Sequence, residues 1–253
     1  MSKFLLAGFW LLVNAAASAQ DARQIVSDSQ VRSRVKSERY EGTLEMFGST
    51  GKPGIKRWTY ERMGSFGESK AILRFTDPPE LKGLALLILN HSDRASDQWM
   101  WTPAIDRERR IALQDRSTRF FGTDFSFEDL EERDIHLFDY KMLGEEPIDG
   151  AACWKIESKP KESKSSQYSS ALLWIRKDNY VTAQVESYSA GKLARRIHYS
   201  DIEKVDNIWT PRTVEALDAA RNSRTVLKLE KLQYNVPMKD EDFTVEALRR
   251  GNS

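Results

Sequence analysis

Phe75-Thr76-Asp77-Pro78-Pro79-Glu80-Leu81-Lys82-Gly83 runs directly into Leu84-Ala85-Leu86-Leu87-Ile88-Leu89, and this stretch decides the fold class. A proline-bearing turn ending in glycine separates two apolar runs, each too short for a core helix and rich in strand-forming residues. In the second run Leu84, Leu86 and Ile88 share one face, while Ala85, Leu87 and Leu89 share the other. A single-layer sheet exposes one of its faces, so a helix or a ligand must cover the second apolar side of this strand.

The same period of two extends outward in both directions. Upstream and downstream of the turn, Tyr40–Phe47, Ile55–Met63, Glu68–Phe75, Leu84–Asn90, Gln98–Thr102 and Arg109–Leu113 read as strands. A second series, Cys153–Ser158, Ser170–Lys177, Val181–Ser187, Leu193–Tyr199, Trp209–Leu217 and Thr225–Gln233, repeats the pattern with tight links. Sequential short strands of this kind predict an antiparallel meander that curls toward a barrel. Between the two series, Ser126 and Asp129 form a capping-box pair with Phe125 and Leu130 at the staple positions, which predicts a short helix from Phe127. An apolar stripe of Ile25, Val26, Val31 and Val35 predicts a helix over Gln20–Lys36. Lys159–Gln167 has no apolar residue and reads as an exposed hairpin loop.

Lys3, the apolar run Phe4–Val13 and Ala17-Ser18-Ala19 have the layout of a signal peptide over residues 1–19. Its apolar core of about ten residues is too short to cross a bilayer as a helix. Residues 20–253 are then expected as a single domain. With no Cys at the cleavage point, a lipid-anchored product is not expected, and the mature chain reads as soluble and exported. Lys+Arg 39 against Asp+Glu 38 gives a net charge of +1, which offers no global attraction to nucleic acid. Cys153, the single cysteine, excludes an intrachain disulfide and a CxxC pair, and reads as a small core residue. His91, His136 and His198 are scattered, and Gly64-Ser65-Phe66-Gly67 has the wrong spacing for a nucleophile elbow. The pairs Glu131-Glu132 and Glu145-Glu146 read as solvated carboxylates. No catalytic residue, cofactor or metal is expected.

What remains is apolar mass placed in alternation. Trp58 and Tyr60 share a face, as do Leu73 and Phe75, Leu84, Leu86 and Ile88, and Trp99 and Trp101. With Ile111, they could fill a barrel core or line an apolar groove, over which the phenylalanine-rich segment of Phe120, Phe121 and Phe125 would form part of a lid. Arg107, Arg109 and Arg110 could meet anionic head groups or an acidic partner at the groove mouth, or form a solvated strand end.

Several stretches resemble the LolA-like outer-membrane lipoprotein-sorting proteins, specifically a longer branch found beside RND-type exporters. They are Phe75–Gly83 with its following strand, Trp99-Met100-Trp101-Thr102-Pro103-Ala104 followed by Arg109-Arg110-Ile111, Phe121-Gly122-Thr123-Asp124-Phe125-Ser126-Phe127-Glu128-Asp129-Leu130, and Asn235-Val236-Pro237. This resemblance implies a mainly β (α+β) fold: a half-open antiparallel β-barrel of about 11–12 strands, with an N-terminal helix and short helices covering the open side. It further implies a periplasmic carrier of lipidated protein or lipid cargo, working between an inner-membrane RND-type or ABC-type exporter and a transient outer-membrane acceptor. The family's founding carrier latches its lid with an arginine, which the sequence does not assign to any Arg here. A non-transporting adaptor or a lipid- or glycan-binding module is the competing expectation.

Overall fold

Alternating apolar residues at period two, bounded by turn residues, pair here into one continuous sheet. The structure, a computed structural model, describes residues 22–48, 53–162 and 164–250. Helix α1 covers 22–32. Six strands follow: β1 (Ser37–Phe47), β2 (Gly54–Met63), β3 (Lys70–Asp77), β4 (Ala85–Leu89), β5 (Asp97–Thr102) and β6 (Arg107–Arg110). After a crossing segment over 111–137 come β7 (Phe138–Glu145), β8 (Cys153–Pro160), β9 (Ser170–Arg176), β10 (Thr182–Ser189), β11 (Lys192–Val205), β12 (Ile208–Asp218) and β13 (Ser223–Tyr234), and then helix α2 (Val245–Arg250). All thirteen strands lie in one sheet in the order β6-β5-β4-β3-β2-β1-β13-β12-β11-β10-β9-β8-β7.

Every neighbouring pair is antiparallel, and only β1–β13 joins strands that are not consecutive. The two edges, β6 and β7, are consecutive in the chain but unpaired, so the half-barrel stays open. The crossing segment spans from one edge to the other. Register shifts at Arg57/Trp58, Thr182/Gln184, Ser187/Tyr188 and Met142/Gly144 put extra residues into single strands. Such bulges bend the strand and increase its twist, which curls the sheet.

The inner face of β1–β4 carries Leu44, Trp58, Leu73, Phe75, Leu86 and Ile88 in one buried cluster with Phe120, Phe125 and Phe127 of the crossing segment. Gly42, opposite Trp58 in the ladder, gives the indole its place: a Cβ there would lie 2.1 Å from Trp58 Nε1. On the other wing, Ala22 and Val26 of α1 pack on Phe138, Tyr140, Ile156, Leu173 and Val185. The second apolar side of β4 is covered by a helix: Ala85 and Leu87 lie against Leu248 of α2 and Phe243.

The strand count is thirteen rather than 11–12, because β7 pairs with β8 inside what the sequence assigned to the helical crossing segment. Phe138 and Tyr140 alternate with Asp139 and Lys141 there, but over too few residues to separate a strand from a turn. The helix expected from Phe127 is one 3-10 turn, Glu128–Leu130. Its capping pair does form: Ser126 N donates to Asp129 Oδ2 at 2.7 Å, and Asp129 N donates to Ser126 Oγ at 3.2 Å. The chain leaves the helix at Glu131, whose backbone is extended (φ −79°, ψ 147°). The expected signal peptide lies outside the described residues.

Candidate functional site

Phe120 is fully buried although it belongs to no strand. Its ring stacks on Phe75 (centroids 5.5 Å apart, planes at 22°) and lies 6.2 Å from Trp58 and 5.4 Å from Phe127. Phe121 meets Phe120 and Phe75 edge-on at 5.0 and 5.7 Å. The local sequence builds this wedge. Phe121 and Gly122 both have positive φ (46° and 76°), so the chain reverses within two residues. Phe120 N donates to Phe125 O (2.8 Å), and Thr123 Oγ1 donates to Phe120 O (2.7 Å). The turn is pinned to β13 by Asp124, whose buried carboxylate accepts from Thr225 Oγ1 (2.8 Å) and Ser223 Oγ (2.6 Å). Arg119 closes it with a 2.8 Å ion pair to Asp124, and Lys56 donates to Phe121 O.

Beyond the wedge, the run Glu128–Glu132 is held by polar contacts to several strands. Asp129 takes Arg195 Nε of β11 at 3.0 Å and the Tyr168 hydroxyl at 2.8 Å. Glu131 takes Lys164 (3.0 Å), Arg116 (2.7 Å) and Gln98 (2.9 Å). Glu132 takes Arg62 of β2 at 3.2 Å and the Phe66 amide at 2.8 Å. The Glu131 and Glu132 side chains are only 6% and 15% exposed and each meets a cation, so this pair is largely buried and ion-paired rather than solvated. Arg62 of β2, Arg195 of β11 and Lys164 of the β8–β9 loop therefore grip the segment, where the sequence assigned no latch at all. Helix α1 is tied to the same segment: Arg23 donates to Ile135 O and Gln30 to Arg133 O.

Of the groove residues expected from sequence, Trp58, Leu73, Phe75, Leu84, Leu86, Ile88, Ile111, Phe120 and Phe125 come together on the inner face, with Tyr60 and Phe121 partly buried against them. Trp99 and Trp101 do not. They lie in the cluster under α2 on the outer face, because the register of β5 turns Gln98 and Met100 inward. Arg107 and Arg109 share the inner side of β6 with Met100 and stay exposed at the open edge, whereas Arg110 turns outward and binds Asp97. Residues missed by the sequence are Asp124, Asp129, Glu131, Glu132 and their cations, since partners so far apart in the chain leave no local signal.

A partly open cavity of about 120 Å³ lies between the 128–138 segment and β7–β11, walled by Phe138, Ala171, Val185 and Ile197 on the sheet side and by the Asp129, Glu131 and Glu132 carboxylates opposite. A larger groove of about 660 Å³ is cut into the outer face beside the C-terminal segment, but its walls are mostly charged. Among the described residues no helix is long and apolar enough to cross a membrane.

An open antiparallel half-barrel whose inner apolar face is plugged by an irregular segment defines the class of fold. A model of a family of uncharacterized proteins matches residues 67–250, and the chain belongs to that family; its fold is LolA-like. No curated protein matches the chain. Among solved structures, a DUF1329-family protein from Desulfovibrio piger is 25% identical, with 91% of this chain and 99% of that one covered and a TM-score of 0.87. A putative outer membrane lipoprotein-sorting protein domain from Vibrio parahaemolyticus is 24% identical (92% and 100% covered, TM-score 0.85). A LolA superfamily protein from Nitrosomonas europaea is 19% identical (89% and 98% covered, TM-score 0.71).

Proposed function

We infer that the protein is a periplasmic carrier that shelters acyl chains of lipoproteins or lipids between the inner sheet face and the 111–137 segment, for delivery toward the outer membrane. The observation that supports this reading is the Phe120 wedge: aromatic side chains from outside the sheet occupy the apolar face, held by ion pairs and turn contacts instead of a strand ladder. Such a plug can be exchanged for a ligand of the same polarity. Each buried CH₂ is worth about 0.8 kcal/mol, so one ~16-carbon chain would gain on the order of 12 kcal/mol if fully sheltered. Re-exposing Phe120, Phe121 and Phe127 and breaking the buried ion pairs offsets much of that gain. A carrier that must release its load needs such an offset.

The export-like N-terminus supports the periplasm, and the likeness to a lipoprotein-sorting domain supports lipidated cargo; an RND-type or ABC-type exporter and an outer-membrane acceptor are the partners this reading calls for. No catalytic step belongs to this reading. One observation favours a second one: the cavity of about 120 Å³ is near the ~150 Å³ that takes a benzene, far too small for an acyl chain without movement. A non-transporting adaptor that holds a small ligand would need no movement. Organic extraction and mass spectrometry of the purified protein separate the two. Recovered phospholipid or acylated peptide supports the carrier, whereas lipid-free protein that nonetheless binds a glycan or an exporter domain supports the adaptor.

A further inference from the structure

A second opening lies at the end of the sheet that bears the β2–β3, β9–β10 and β11–β12 turns. Here the last turn of α1 faces Tyr180 and Trp209 around an open pocket of about 450 Å³. Tyr199 of β11 lines this pocket and also lines the cavity under the 128–138 segment. It is therefore the partition between an outer mouth and an inner space. Its ring packs among apolar neighbours of the β7–β10 cluster, and no hydrogen bond among the described residues fixes its hydroxyl.

The mouth is polarised. The Arg32 guanidinium lies 4.0 Å from the centre of the Tyr180 ring and has no acidic partner among the described residues. Asp178, the carboxylate in the pocket wall, is engaged by Arg176 through two bonds of 3.0 and 2.7 Å. Arg32 is thus the uncompensated charge of the mouth. Trp209 is 40% exposed beside it, and Lys204 sits 5.1 Å from the centre of its ring. With a cation over that face, the indole is a poor platform for a sugar, while its remaining apolar surface suits a hydrocarbon chain. A cation and exposed aromatic surface outside, a space inside with Phe138, Ala171, Val185 and Ile197 on its sheet side and the carboxylates of Glu128–Asp134 opposite, and the Tyr199 ring between them match a molecule with an anionic head and one apolar tail.

We propose that this mouth is the head-group site for a single-chain anionic amphiphile, whose head rests against Arg32 and whose chain passes Tyr199 into the space beneath the 128–138 segment. The proposal rests on the carrier reading and adds where the polar end stays and which side chain gates the passage.

The test uses the purified protein with stearate carrying a nitroxide at carbon 5 or carbon 16, read by electron paramagnetic resonance and by tryptophan quenching. An immobilised spectrum is expected, with stronger quenching from the carbon-5 label. Trp209→Phe should abolish the difference between the two labels while leaving binding intact. Arg32→Ala should weaken stearate about tenfold, the size of one charge-assisted hydrogen bond, without changing the affinity of its methyl ester. Arg32→Lys should restore most of the loss, which separates charge from damage to α1. Tyr199→Trp should slow uptake. Immobilised stearate with unchanged affinity in Arg32→Ala and unchanged quenching in Trp209→Phe would overturn the mouth assignment and leave the carrier standing. A spectrum with no immobilised component in the unaltered protein would remove the carrier reading itself.

Discussion

Phe120 and Phe121 are neighbours with different burdens. Phe120 is enclosed on all sides, so Phe120→Ala leaves a cavity and should cost about 3–5 kcal/mol. Phe121 is only partly buried and sits at a positive φ that alanine shares unwillingly, so Phe121→Ala should cost under about 2 kcal/mol in delipidated protein. If Phe121 covers a ligand path, its loss should show in the affinity of a fluorescent fatty acid. Equal stability losses in urea for both variants would make Phe121 ordinary core. A separate residue-scale expectation comes from Asp97. Burial raises its carboxyl, but hydrogen bonds from Arg94, Arg110 and His91 outweigh that and hold it at about 2. A depressed carboxylate contributes stability above its unfolded value of about 3.9 and loses it as pH falls through the folded value. Asp97→Asn should therefore be less stable than the parent at neutral pH, with the gap in urea midpoints closing between about pH 4 and 2. A gap that persists at pH 2 would locate the damage in packing, not charge.

At the scale of elements, α2 has six residues, too few to persist alone, and is held by Leu248, Phe243 and Arg74. Arg74 Nη1 donates to Leu248 O (3.0 Å) and Nη2 to Ala247 O (3.3 Å), satisfying carbonyls that end the helix. Leu248→Ala should cost about 2–5 kcal/mol and release the helix, baring Leu87 and Trp101, which an increase in dye binding to apolar surface would report. Unchanged dye binding with unchanged stability would show that α2 contributes nothing to covering β4. This element also shows what the sequence conveyed. The two-sided greasiness of Leu84–Leu89 was legible and required a cover, but six residues after a long polar stretch gave no sign that α2 was that cover. Trp99 and Trp101 were correctly read as sharing one face. Which face was not legible, because it depends on a register set by β4 on one side and β6 on the other. The F-G-T-D-F-S run was legible as a segment apart from the strands through its phenylalanines and its capping pair. Its anchorage through Asp124 to Thr225 was not, with a hundred residues between them.

For the whole molecule, the decisive question is whether the 111–137 segment moves against a sheet that does not. Its connections argue for a separable unit. Apart from its aromatic wedge, it is held by side-chain contacts, the ion pairs to Arg62, Lys164 and Arg195 and the hydrogen bonds to Gln98, Tyr168, Ser223 and Thr225, while the sheet is held by ladders across thirteen strands. Removing one partner of a buried pair costs about 3–5 kcal/mol, so the grip is strong but made of few, separable contacts. Asp129→Asn with Glu132→Gln keeps shape and volume while removing two of the charges. Hydrogen exchange should then quicken at amides of 116–132 and at 22–32, since α1 is tied to the segment by Arg23 and Gln30, while β1–β4 and β8–β13 stay protected. Uptake of a fluorescent fatty acid should quicken in the same variant, because the closed state loses part of its advantage. Exchange that instead rises evenly across the strands would mean that the segment is a structural part of the core, and that loading requires the sheet itself to open.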